Sequence, residues 1–261
     1  MAEQLALRLK VFAFAGSTRC YRRSWSIGLA TDSATVDAEA ILVDHLSPRA
    51  LLSNKINAHG GMMRSTFIAA ICYSAAWVIG LAFGPASVPL TATNTEIAAA
   101  YEARPGGFAM QSFFVHGLAG VLLAVVVIGL RGRLTGVAKD MVTTGGLAAV
   151  GASLTQFGVE VALSTTATPV LFELTTRLDG LKMFALAGLA VGTSLRRRDV
   201  VAYLGLALAA ALAVSGVGYL AMYQPLADAA YVSGVLLLLW VPVAAYRVPM
   251  STRACFISAE G

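Results

Sequence analysis

From residue 66 onward, apolar residues neither alternate nor keep to one helical stripe. They run on for a whole span at a time and stop at basic residues. Windows of about 19 residues pick out six such runs, at 66–84, 112–130, 141–163, 181–195, 200–222 and 229–246. A helix apolar all round suits hydrocarbon as its solvent, because each backbone N–H and C=O is satisfied within the helix. The pattern predicts an all-α, polytopic membrane protein built as a six-helix transmembrane bundle. The fourth run is the weak one. From Met183 to Leu195 it rises only about 20 Å, against about 30 Å of hydrocarbon. Either it begins earlier, near Leu178, or it carries Lys182 into the membrane.

The polar positions between the runs set the expected orientation. Arg64, Arg131, Arg133, Lys139, Arg196, Arg197, Arg198, Arg247 and Arg253 fall on one side, and Arg104, Arg177 and Lys182 on the other. By the positive-inside rule both ends of the bundle are cytoplasmic and the chain is a multi-pass protein of the cell membrane. Two external loops are expected. In Pro85–Gln111, Thr93 and Glu96 have the spacing of a capping box, and a short helix should follow and end at Pro105-Gly106-Gly107. The second, Ser164–Gly180, is rich in threonine. Pro242 lies inside the last run, where it frees a carbonyl and kinks the helix. Glycines such as Gly145, Gly188 and Gly205 suit close helix packing.

Residues 1–61 differ from the rest. They hold seven of the nineteen Lys/Arg residues and only short, broken apolar stretches. Met62 and Met63 precede an immediate span, so 1–61 reads as a disordered or mis-annotated extension, 62–250 as the membrane domain and 251–261 as a short cytoplasmic tail.

Composition agrees with lipid as the solvent. The 261-residue chain is 57% hydrophobic, has a mean hydropathy of +0.74 and is only 13% charged, about half the charge of a soluble domain. The net charge of +5 is therefore assigned to the membrane surface and not to nucleic acid. Cys20, Cys72 and Cys255 share no metal-binding or redox spacing.

The one constellation with chemistry comes from depth. Counted from the charges at the cytoplasmic ends, Arg131, Asp140 and Arg196, His116 lies about 22 Å up, Gln156 about 24 Å and Lys182 about 21 Å. Glu160, Arg177 and Asp179 lie slightly higher. Ionisable groups at such depth pair with one another or line a cavity. His116, Gln156, Glu160, Arg177, Asp179 and Lys182 form the candidate site, with Glu160 expected to pair with Lys182 or Arg177. No HExxH, GxSxG, GxxxxGK or CxxC is present, no mid-span lysine suits a retinal Schiff base and no bis-His pair suits haem. No metal or cofactor is expected, and the reading leans away from an enzyme. The architecture resembles that of small six-span bacterial inner-membrane proteins, which transfers no activity. Three functions compete. The first is a structural or regulatory membrane subunit, partnered by the lipid bilayer and by a second copy or another membrane protein. The second is an outward-facing small-molecule binding or transport protein. The third is an enzyme acting on a lipid or quinone, with Glu160 or His116 as base.

Overall fold

A computed structural model describes residues 48–195 and 197–248, with side chains described from Met63 onward. Every element among the described residues is helical. In chain order they are α1 (Pro48–Phe83), α2 (Asn94–Ala103), α3 (Pro105–Ser112), a π-helical segment (Phe113–Leu118), α4 (Ala119–Arg131), α5 (Gly136–Thr166), α6 (Pro169–Ser194), α7 (Val200–Leu220), α8 (Gln224–Ala227) and α9 (Ala229–Arg247). Within 48–61, expected to be disordered or untranslated, the backbone is helical and runs into the first span. Residues 1–47 and the 251–261 tail lie outside the described residues.

Among the described residues five helices are long and apolar enough to cross a membrane: Met63–Phe83, Pro105–Arg131, Gly136–Thr166, Val200–Leu220 and Gln224–Arg247. The chain thus has the architecture of a multi-pass membrane protein. α6 stands apart. At 26 residues it is about 39 Å long, but Glu173, Arg177, Asp179 and Lys182 all fall in 169–182. Length does not limit this helix; charge does.

α6 also corrects the expected Ser164–Gly180 loop. All of that stretch is helical except Ala167 and Thr168. Ala167 takes a left-handed conformation (φ 49°) at the end of α5, and its N–H donates to the Leu163 carbonyl. Pro169 then opens α6 at a position where its missing N–H costs nothing. A two-residue link is enough to reverse the chain.

The capping box forms. The Glu96 carboxylate accepts from the Thr93 backbone N–H at 2.7 Å, and Glu96 N–H donates to Thr93 Oγ1 at 3.3 Å. Pro105-Gly106-Gly107 does not trail off as expected. The break falls on Arg104, and Pro105 starts α3. α2 buries Ile97 and Tyr101 against Phe108, Leu163 and Phe172, a small apolar cluster closing the α5–α6 end of the bundle.

The main core joins α1, α4, α5, α6, α7 and α9, each packing on the next, with α9 returning to α1. Trp240, Leu123, Leu130, Leu189, Leu208 and Leu212 fill it, while Ile68, Val121, Ile128, Tyr203 and Val232 are exposed around the outside. Gly145 shows why small residues recur. A Cβ there would sit 2.7 Å from the Ala185 carbonyl oxygen, so only glycine lets α5 and α6 approach this closely. Pro242 leaves the Leu238 carbonyl without its helical donor, and Ser74 Oγ of α1 donates to that oxygen at 3.0 Å.

Candidate functional site

Three stretches bring the polar residues together. The π-helical turn Phe113–Leu118 inserts an extra residue into the long Pro105–Arg131 helix, a distortion common where a side chain must be re-aimed. It carries His116, which is buried. α5 contributes Gln156 and Glu160, one turn apart on one face, and α6 contributes Asp179 and Lys182 at i,i+3.

Lys182 is the centre. Its residue is 1% exposed, yet each of its three N–H donors has an acceptor available. Nζ lies 2.5 Å from Asp179 Oδ1, 2.8 Å from Gln156 Oε1 and 3.2 Å from His116 Nδ1. It also lies 5.9 Å from the centroid of the Trp77 ring, within cation–π range. The other side of His116 faces Glu160, with Nε2 3.2 Å from Oε1. An ammonium has only donors, so Nδ1 is the acceptor and Nε2 carries the proton given to Glu160. Gln156 is fully buried and donates from Nε2 to the Thr175 carbonyl at 3.5 Å. Glu160 and Asp179 retain 18% and 24% side-chain exposure. The network is therefore closed on its cationic side and slightly open on its acidic side.

Five of the six expected residues meet here. Arg177 does not. It lies five residues before Lys182, about 140° round the helix, and forms a surface pair with Glu173 at 2.6 Å. The expected partners of Glu160 are also corrected. Glu160 pairs with His116, and Lys182 pairs with Asp179, which sits one turn away on its own helix and is already positioned by the backbone.

Tyr101, Trp77, Thr175 and Tyr219 were not legible as neighbours. Tyr101 comes from α2 and stacks on Phe108 with centroids 4.0 Å apart. Burial raises its phenol well above the ordinary range, and the Glu160 and Asp179 charges add to this. Tyr219 on α7 lies within electrostatic reach of Asp179. Trp77 sits on an inner helix face of an otherwise unremarked span, and Thr175 contributes a backbone carbonyl, which no sequence pattern advertises. The hydroxyls of Ser112 and Thr175 are buried without a hydrogen-bond partner.

Among the described residues no three His, Cys, Asp or Glu side chains converge to hold a metal ion. Cys72 is a free, exposed thiol. A surface cleft of about 360 Å³, lined by residues including Ser87, Val88, Thr91 and Glu96, lies beside α2 and involves none of the network residues. Glu96 is committed there to its capping box, and the Thr93 backbone N–H holds its carboxyl below the usual range.

Compared with protein-family models, curated proteins and solved structures, the chain matches none, so its functional reading rests on its own residues.

Proposed function

We propose that the protein is a structural or regulatory subunit of the cell membrane, a six-span bundle with both ends cytoplasmic, in which the Lys182 network ties helices together. One observation carries this reading: a buried ammonium whose three donors are met by three acceptors on the π segment, α5 and α6. A site evolved to take ligand keeps polar capacity free at its centre, and Lys182 has none to spare. The sixth span in this reading is α6, long enough to cross, with Lys182 turned onto the π segment and α5 and with Glu173 and Arg177 paired to each other on the surface. A second copy or another membrane protein is the partner in this reading, alongside the bilayer. Neither nucleic acid nor a cofactor enters it.

The test is thermal unfolding of the detergent-solubilised full chain. Breaking a buried ion pair on one side costs about 3–5 kcal/mol, and Asp179 is partly exposed, so Lys182→Met should cost about 3 kcal/mol. Adding Asp179→Leu should restore most of that loss, because the stranded charge is gone. Unchanged unfolding of Lys182→Met would refute the tie. The small-molecule reading has one observation in its favour, the residual exposure of Glu160 and Asp179. It would be supported by a Glu160→Gln chain that unfolds normally but loses its cellular phenotype.

A further inference from the structure

The network carries one charge too many. Lys182 is positive, Asp179 and Glu160 are negative, and an imidazole that accepts at Nδ1 and donates at Nε2 is neutral. The sum is one uncompensated negative charge in a largely enclosed site. The elements packed around it supply no counter-charge among the described residues. α2 presents Tyr101, α7 presents Tyr219, α1 presents Trp77, and Arg177 is engaged outside by Glu173. The excess sits where Glu160 and Asp179 keep only 18% and 24% of their side-chain surface exposed, and a charge so poorly hydrated is costly, so the site favours one more positive charge. No metal-ligand set converges there, and a proton is the cation that needs no cavity. His116 bonds the Glu160 carboxylate on one side and the Lys182 ammonium on the other, so a proton gained at its ring changes both contacts.

We propose that this network is a proton-binding site in which protonation of His116 releases Lys182 and loosens the contact between the Pro105–Arg131 helix and α6. The inference rests on the reading of the Lys182 network as the tie between those helices. The proton comes from water and bonds to the Nδ1 lone pair. The hydrogen bond from Lys182 to Nδ1 breaks, since both groups are now donors. The Nε2–H bond to Glu160 becomes charge-assisted and strengthens. No electrons are exchanged and the network becomes neutral. Entry is through the acidic side, where Glu160 and Asp179 keep 18% and 24% side-chain exposure, against 8% for His116 and 2% for Lys182. The unpartnered hydroxyl of Ser112, one turn before His116, leaves polar capacity in that helix unused. His116 thus holds Lys182 as a neutral acceptor and Glu160 as a cation.

The experiment uses the full chain in lipid bilayers with His45→Gln and His59→Gln, so that His116 is its single histidine, labelled with ¹⁵N. Imidazole nitrogen resonances are followed from about pH 8 to about pH 5, the range in which histidine changes charge. At the upper end Nε2 should be protonated and Nδ1 a hydrogen-bonded acceptor; at the lower end both should be protonated. Amide exchange in Phe113–Leu118, corrected for its intrinsic pH dependence, should rise about tenfold, the worth of one hydrogen bond, and His116→Gln should abolish that rise. An imidazole neutral throughout, with Lys182 still bonded to Nδ1, overturns the proton site but leaves the tie intact. A proton found on Glu160 instead, seen as a carboxylic C=O band missing in Glu160→Gln, also overturns it. Absence of the Lys182–Nδ1 bond at every pH overturns the tie as well.

Discussion

Single residues here are constrained by what their neighbours lack. Pro242 removes one helical N–H, and the stranded Leu238 carbonyl is answered by Ser74 from a different helix. Ser74→Ala should lower stability by about 1 kcal/mol, the low end of the cost of an unmet acceptor because this one is only partly buried. In a Pro242→Ala background, where the helix supplies its own donor, the same change should be nearly neutral. Thermal unfolding of the four chains in that cycle measures the coupling, and equal losses in both backgrounds would refute it. The freed carbonyl is legible from Pro242 alone, because the ring's effect is local. Ser74 as its partner is not, because a separation of 164 positions between Ser74 and Leu238 says nothing about which helix faces which. Lys182 teaches the same lesson. Its distance from Arg196 was countable and Asp179 stands one turn away on the same helix, whereas its bonds to His116 and Gln156 depended on how three helices face one another.

At the scale of elements, helix ends follow local chemistry closely. Asp199 caps α7 by accepting from the Ala202 N–H at 3.0 Å and pairs with Arg197. That Arg197 hydrogen bond, opposed by desolvation and aided by the Ala202 N–H, holds the Asp199 carboxyl below its usual range. A folded-state value lower than the unfolded one means that the stabilisation is present above the unfolded value, about 3.9, and is lost as pH falls through the folded value. Asp199→Ala should therefore cost about 0.5–2 kcal/mol near neutrality. The difference from the parent should shrink once pH drops below that range, as read from amide exchange at Ala202 and Tyr203. A cost independent of pH would contradict the capping role. The Thr93–Glu96 box was readable in the same way, since its bonds close within four residues. The α5–α6 reversal was not. Ala167 has no intrinsic preference for the left-handed region, and it adopts φ 49° where Pro169 and the packing of two long helices demand a tight turn.

Across the whole molecule, charge placement and helix packing make separate demands, and α6 answers both. Its four charges exclude it from the apolar helices, yet it packs between α5 and α7. If α6 crosses the membrane, cysteines placed at Thr166 and Arg198, in a chain whose native cysteines are replaced by serine, lie on opposite faces. In sealed right-side-out vesicles an impermeant maleimide should label Thr166→Cys and spare Arg198→Cys until detergent is added. Labelling of both would show that α6 does not cross, and labelling of Arg198→Cys alone would reverse the orientation.

By itself the sequence determined the solvent, the helical class and most span positions, because burial in lipid acts on each segment independently through its length and apolarity. It also brought the polar groups to a common level along their helices, since helical rise converts residue counts into distance. Rotation of each helix about its axis was decided only in the folded bundle, and with it went partner choice. That rotation turned Arg177 outward to Glu173, gave Glu160 to His116 and enclosed Lys182 among three acceptors. An apolar helix with no polar face offers no moment to orient it, so the π turn and close glycine contacts, which depend on several helices at once, had to do so.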